Sequence, residues 1–356
     1  MRTRPLPFLL LAPALLAASC GPPFETAELP PEPAGSTAPI PAQPGVWTWV
    51  PFPEAKCADG NGTGMGVNIS KENRNVLIYL QGGGACWDDL TCHGLVKTAS
   101  NLLGGFDYRK FQGDGDLTAV PLLQRDTSDN PFRDASLVFV PYCTGDVHSG
   151  DRTQTYVIAG NRQVTHHWGY RNLTAFLRRL VTTFPNADRV WLTGSSAGGF
   201  GTAINLEHVK RAFWWARVDA VDDSGPLLQP NGDRWDQWNR SWNMHLPPGC
   251  TACRDRADAI LEYYATAYPD SSFALLSNDK DAVISAYSGW SPLQFRERIM
   301  SMAEAFDAAP NQHYFLVDGG GHVLLKQLGK VSGGVALRDW LQQMYDDDPA
   351  WKNVGP

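Results

Sequence analysis

Short apolar runs alternate with longer amphipathic stretches along most of this chain. Val76–Leu80, Leu137–Pro141, Val190–Thr193, Val218–Val221, Phe273–Leu276 and Tyr314–Val317 are dominated by apolar residues and read as buried strands. Between them the apolar positions fall at helical spacing. Within Tyr170–Phe184, residues Leu173, Phe176, Leu177, Leu180, Val181 and Phe184 make one face of a helix. Phe295, Ile299, Met302 and Phe306 make another, a helix is expected over Gly198–Phe213, and Val335–Tyr345 closes the chain. Strands alternating with helices predict an α/β fold, with a mostly parallel sheet covered by helices on both faces. No internal repeat interrupts the pattern.

Two stretches depart from the alternation. Gln229–Cys253 carries Trp235, Trp238 and Trp242, whose spacing puts three indoles on one helical face. This segment reads as a cap insertion spanning about residues 229–255. Its tryptophans either pack a subdomain or form a wall that contacts substrate. Gly21–Gly45 contains eight prolines and almost no apolar periodicity, and reads as a semi-extended tether from residue 20 to residue 45. The body of the protein is then a single domain over residues 46–356.

The chain start changes the picture of where the protein works. Met1–Ser19 has Arg2 and Arg4 ahead of the apolar run Phe8–Ala18, the pattern of a secretory signal peptide, too short to span a membrane. It ends in Ala17-Ala18-Ser19-Cys20-Gly21, which resembles a bacterial lipobox. Cys20 is therefore the expected lipid anchor, and the protein is expected at the bacterial cell envelope, or otherwise secreted. Setting Cys20 aside leaves Cys57, Cys86, Cys92, Cys143, Cys250 and Cys253. Six cysteines in an exported protein suggest three disulfides, with fifteen pairings open. Cys250-x-x-Cys253 lacks a second metal-binding pair, so no metal and no cofactor are expected. The composition, 43% hydrophobic and 19% charged, is that of a globular protein, and the formal charge of −7 argues against a nucleic-acid partner.

The candidate chemistry centres on Gly194-Ser195-Ser196-Ala197-Gly198, a G-x-S-x-G run after the strand Val190–Thr193 and before a helix. This is the pattern of a nucleophile elbow, a sharp turn that lifts a serine hydroxyl above the sheet for a base to deprotonate. In such folds the acid and then the histidine follow the serine. Of the later histidines His208, His245, His313 and His322, only His322 sits in a glycine-rich loop, Asp318–His322, directly after the last apolar strand. Asp279 and Asp281 both follow Phe273–Ser277, and Asp281 is preferred as the acid. An oxyanion hole needs backbone N–H groups. Ala197 supplies one, and the loop Gln81–Trp87, with its three glycines, supplies the rest. Trp87, Asp146 and His148 are expected to contact substrate, the last two at the pocket mouth near Cys143.

These segments carry a resemblance. Gly82–Cys92 (GGGACWDDLTC), Pro141–Gly150 (PYCTGDVHSG), Gly194–Gly199 (GSSAGG) and Asp223-Ser224-Gly225 are similar, in that order, to the pectin acetylesterase and Notum carboxylesterase family. The resemblance covers most of Pro51–Lys330. It implies an α/β-hydrolase-like fold and ester hydrolysis by Ser196, Asp281 and His322 without metal, with oxyanion donors at Gly83, Gly84 and Ala197. It also points to a Cys86–Cys92 disulfide. Cys250 would then pair with Cys253 inside the cap, leaving Cys57 with Cys143. The expected activity is exported serine carboxylester hydrolysis, with an acetylated polysaccharide as the leading substrate. Deacylation of lipids or lipid-modified proteins is the second reading. A non-catalytic carbohydrate-binding lipoprotein is the third, and it would have no use for an intact serine, acid and histidine.

Overall fold

The computed structural model describes residues 24–96 and 98–356. The leader Met1–Ser19 and the cysteine Cys20 lie outside the described residues. The first five strands of a nine-stranded sheet are β1 (Thr26–Glu28), β2 (Trp47–Lys56), β3 (Gly62–Asn68), β4 (Val76–Leu80) and β5 (Ser136–Val140). After a separate antiparallel hairpin, β6 (Arg152–Ile158) and β7 (Asn161–His167), the sheet continues with β8 (Arg189–Ser195), β9 (Arg217–Asp223), β10 (Phe273–Asn278) and β11 (Gln312–Val317). The spatial order is β1-β2-β3-β5-β4-β8-β9-β10-β11. From β5 to β11 every neighbouring pair is parallel. The six strands read from the apolar pattern are this parallel block.

The helices cover both faces. Three short ones, α1 (Asp89–His93), α2 (Tyr108–Gln112) and α3 (Asp116–Ala119), fill the excursion between β4 and β5. On one face lie α4 (Gly169–Thr183), α5 (Ala197–Ala212), α6 (Arg234–Trp242), α7 (Ala259–Ala267), α8 (Ala282–Ser288) and α9 (Pro292–Asp307), packed on Ile78, Leu80, Val190 and Leu192. On the other lie α2, α3 and α10 (Leu337–Tyr345), packed on Leu77, Tyr79 and Trp191. Alternate residues of β4 thus feed two separate cores, as strand pleating requires. The chain leaves β4 toward β5 on one side and enters β8 on the other, so the strand order reverses between β4 and β8. A crevice at the carboxyl ends of the strands is expected at such a point.

One expectation needs correction. Residues 24–45 are not a free tether. Thr26–Glu28 pairs in parallel with Trp47–Trp49 as an edge strand. Further on, Ile40 is buried in the core and donates its N–H to Thr183 Oγ1 at 2.9 Å, and Ala38 O accepts from Arg179 Nε at 3.0 Å. The few apolar residues among the prolines find sockets on the body, which outweighs the missing periodicity. The sheet also extends beyond the apolar runs. β2 contains Pro51 and Pro53, and β3 is rich in glycine, so neither shows strand patterning. The two pair antiparallel with each other, and Pro51 and Pro53 fall beyond the stretch of β2 that β1 covers, where proline's missing donor is tolerated.

Candidate active site

The loops that leave β4, β8, β9, β10 and β11 meet at this crevice. Ser196 lies between β8 and α5 with φ 59° and ψ −118°, a backbone conformation that costs about 1–3 kcal/mol for a non-glycine residue. It is held there by hydrogen bonds on both sides: Ser196 N donates to Asp223 O at 2.7 Å, and Phe200 N donates to Ser196 O at 3.1 Å. The glycine requirement of the turn is steric. A Cβ on Gly198 would run into the Leu80 carbonyl oxygen of the neighbouring strand.

His322 reaches this turn from the loop after β11. Its Nδ1 lies 2.7 Å from Asp281 Oδ2. Asp281 is fully buried, and the His322 side chain is 21% exposed. The second oxygen of Asp281 caps α8, accepting from Val283 N at 2.9 Å and Ile284 N at 3.0 Å. With its carboxylate so fixed, Asp281 holds the imidazole in one orientation and leaves Nε2 unspent. Asp279 points elsewhere. It accepts from Gly319 N at 2.9 Å and pairs with Arg296 and with Lys280, so it moors the glycine-rich loop.

A third carboxylate organises the site without facing it. Asp223, at the end of β9, accepts from Leu324 N at 2.8 Å, Leu325 N at 3.0 Å and Ser195 Oγ at 2.8 Å. Ser224 Oγ accepts from Val323 N at 3.1 Å. The histidine loop and the serine turn are thereby tied to the same strand end. Burial raises the Asp223 pKa, and the donated N–H groups oppose that rise. Sequence reasoning noted Asp223-Ser224-Gly225 only as a match, because a buried clamp leaves no periodic signal.

The loop after β4 supplies backbone donors. Gly83 and Gly84 have φ of 151° and 77°, values that favour glycine. An isolated bridge pairs Gly84 with Ala99. Its bonds run from Ala85 N to Thr98 O (3.2 Å) and from Ser100 N to Gly83 O (2.7 Å), leaving the Gly84 N–H out of the ladder. Ala197 opens α5, so its N–H has no helical acceptor. The loop is held by the Cys86–Cys92 disulfide, by Cys86 N on Gly145 O (2.9 Å), and by two donors from α6. These donors are Trp242 Nε1 on Cys86 O (2.7 Å) and Ser241 Oγ on Trp87 O (2.6 Å). The other disulfides are Cys57–Cys143 and Cys250–Cys253.

Ser196, His322 and the glycine loop share one cleft of about 550 Å³, whose walls include Tyr79, Asp116, Val283, Tyr287 and Lys326. Tyr287 was not read from sequence, since a single aromatic on a short helix carries no pattern. Three expected substrate contacts lie elsewhere. Trp87 lies against Tyr287, with ring centres 6.4 Å apart, and packs at a tilt on Trp238 at 5.7 Å. Asp146 and His148 are fully buried, not at the mouth. Asp146 accepts from Thr144 Oγ1 (2.6 Å) and Gly169 N (2.7 Å), and burial pushes its pKa up to about 6. His148 Nε2 bonds Gln81 O at 2.8 Å, and burial lowers its pKa to about 4. His148 thus braces the start of the Gln81–Trp87 loop from behind, and Asp146 ties its own loop to the start of α4, because Pro141–Gly150 folds inward around them. Trp235, Trp238 and Trp242 are likewise buried in the core, on the packing side of the two readings.

The remaining histidines are occupied away from the serine. His313 bonds Asn353 at the start of β11. His208 and His245 sandwich Tyr170, at 4.3 and 3.9 Å between ring centres. Among the described residues one cluster has metal-ligand spacing, Cys86, Cys92 and His167. Its sulfurs are joined to each other, and His167 spends its nitrogens on Thr144 O and the Tyr156 hydroxyl.

With this geometry in place, comparison with known proteins is informative. A family model described as Pectinacetylesterase matches residues 49–243, more than half of the chain. A palmitoleoyl-protein carboxylesterase, Notum, of Homo sapiens is 30% identical over 180 residues, covering 48% of this chain and 34% of that protein. Palmitoleoyl-protein carboxylesterase notum1a of Danio rerio is 30% identical over 156 residues, covering 43% and 29%. The Drosophila melanogaster protein of the same description is 23% identical over 216 residues, covering 55% and 31%. The chain thus spans about a third of the length of these relatives.

Proposed function

The chain belongs to the pectinacetylesterase family, and from that premise we propose that it is an exported serine carboxylesterase. Ser196 is the nucleophile, His322 the general base and then acid, and Asp281 the group that orients and stabilises the imidazolium. His322 Nε2 takes the Ser196 proton as Oγ attacks the ester carbonyl carbon. The oxyanion is held by the N–H groups of Gly83, Gly84 and Ala197. The tetrahedral intermediate collapses, His322 returns the proton to the departing alcohol oxygen, and an acyl-enzyme remains. A water deprotonated by His322 then attacks the acyl carbon, and Ser196 leaves with the proton from His322.

The observation that carries this reading is the 2.7 Å Asp281–His322 hydrogen bond in the wall of the cleft into which Ser196 is turned. The leading substrate is an acetylated polysaccharide. The activity for which these relatives are named, on a palmitoleoyl group of a protein, favours deacylation of a lipid-modified substrate as the second reading. Three disulfides suit an oxidising compartment and support export, with Cys20 as the anchor in the same reading.

Ser196→Ala and Ser195→Ala, assayed on p-nitrophenyl acetate, test the mechanism. Ser196→Ala should lose roughly 10⁶-fold in kcat with an unchanged Tm. Ser195→Ala should stay within about tenfold, because it loses a hydroxyl that donates to Asp223 and accepts from Tyr79 and takes no part in the attack. A wild-type chain that hydrolyses no ester, or an inactive Ser195 variant beside an active Ser196 variant, would overturn the assignment.

A further inference from the structure

The cleft lies across the carboxyl ends of the strands, and its two sides, or arms, differ in chemistry according to which core their residues join. One arm lies over the face into which Tyr79 packs together with Leu117, Leu324 and Leu325. At its base the fully buried Tyr79 donates its hydroxyl to Ser195 Oγ at 3.3 Å, and its wall carries an ion pair between Lys326 Nζ and Asp116 Oδ1 at 2.8 Å. The other arm lies over the opposite face, where Tyr287 packs against the core of α4–α9, and its walls include the Tyr287 ring and Val283 of the same helix. An alkyl chain laid on the ion pair would strip water from two charges without replacing a hydrogen bond, whereas a hydroxylated alcohol would replace it. The acyl group therefore belongs in the Tyr287 arm and the alcohol in the Asp116–Lys326 arm.

We propose that Tyr287 closes the acyl arm and restricts this site to short acyl groups. The proposal rests on the ester-hydrolysis reading above. Tyr287 stands directly against the oxyanion loop: a Cβ built on Gly84 would strike both its hydroxyl and the Thr98 carbonyl oxygen. An acyl chain whose carbonyl oxygen sits at the Gly84 N–H meets the Tyr287 ring within its first few carbons. The ring is not free to swing away. Its hydroxyl donates to Thr98 O, and its own carbonyl accepts from the Arg234 guanidinium. Its edge meets Trp87, which carries the same guanidinium 5.5 Å above its ring. Thr98 is pinned in turn, donating from Oγ1 to Ala85 O at 2.6 Å and Thr91 O at 3.0 Å. The barrier is a bonded wall and not a single rotatable side chain.

The test measures kcat/KM for p-nitrophenyl acetate, butyrate and octanoate on the wild type, Tyr287→Ala and Tyr287→Leu. The leaving group is constant through the series, so only the acyl arm is varied. The wild type should favour acetate over octanoate by at least tenfold. Tyr287→Ala should raise the octanoate-to-acetate ratio at least tenfold, and Tyr287→Leu by a smaller factor of about three. If the alanine variant does not fold, the leucine variant decides alone. A ratio within twofold of wild type in the folded variants, or a wild type that already prefers octanoate, overturns the gate and leaves the esterase reading standing. A wild type that hydrolyses none of the three esters overturns that reading, and the gate falls with it.

Discussion

Two sites in this protein each carry an aspartate and a histidine, and the two pairs are arranged differently. Pro141–Gly150 follows β5 and carries Asp146 and His148; the loops after β10 and β11 carry Asp281 and His322. In the first, His148 is fully buried, tilted against Tyr142 with ring centres 4.8 Å apart, and its Nε2 is spent on the Gln81 carbonyl. Asp146 gives its oxygens to Thr144 and Gly169. In the second, His322 bonds the carboxylate with Nδ1, and a fifth of its side chain remains exposed beside Ser196. The residue types are the same. What differs is which nitrogen is used and whether the other one faces a cleft. A buried imidazole held neutral supports backbone; one with a carboxylate behind it and an open edge can take a proton.

The largest test of this contrast exchanges each histidine for glutamine. His322→Gln should lower kcat on p-nitrophenyl acetate by roughly 10⁶-fold while leaving Tm within a degree or two. His148→Gln should keep kcat within about tenfold but lower stability by about 1–3 kcal/mol, because a buried hydrogen bond is strained or lost. Equal losses of activity in the two variants would mean that the buried pair takes part in turnover.

The two aspartates beside β10 sharpen the same point at smaller scale. Asp281→Asn should reduce kcat by roughly 10⁴-fold, since the asparagine no longer holds the imidazole in the productive tautomer. Asp279→Asn should cost less than tenfold in kcat. It should instead lower Tm, since it weakens the anchoring of Gly319 and the pairing with Arg296. The reverse ranking, read from kcat and Tm on the same samples, would move the acid role to Asp279.

These contrasts also mark what was legible in the sequence. The parallel strands β4, β5, β8, β9, β10 and β11 announced themselves because strands buried on both faces need continuous apolar runs. The G-x-S-x-G turn was legible because its glycines answer local steric demands, as Gly198 does against Leu80. Strands β2 and β3 were not, since their prolines and glycines hide the pattern. Nor were Asp223 and Tyr287, whose roles arise from contacts across more than a hundred residues of chain, to Leu324, Leu325 and Thr98. Asp146 and His148 were misplaced for a related reason: residue type is written in the sequence, but the direction in which a loop folds is not.

The smallest effect separates the two members of the buried pair by pH. Burial lowers His148 from 6.5 to about 4, so the unfolded chain binds a proton there while the folded chain does not. Its contribution to stability is fully present above pH 6.5 and is lost as pH falls toward 4, by up to about 1.4 kcal/mol per pH unit and roughly 3 kcal/mol in all. Asp146 has the opposite sign. Burial raises it from 3.8 to about 6, so the folded chain keeps a proton that the unfolded chain releases, and its contribution is present below 3.8 and lost as pH rises through 6. Between about pH 4 and 6 the two slopes oppose each other, and only above that window does His148 act alone. His148→Gln removes one slope and leaves the other. At pH 7 the variant should be less stable than the wild type. As pH falls toward 4 the difference should shift by roughly 3 kcal/mol in the variant's favour, enough to close or reverse it, since only the wild type must keep an imidazole neutral. Urea unfolding of both proteins at half-unit pH intervals measures the gap. A gap that stays constant from pH 7 to pH 4 would mean that His148 accepts its proton in the folded protein, and the contrast with His322 would then lose its electrostatic basis.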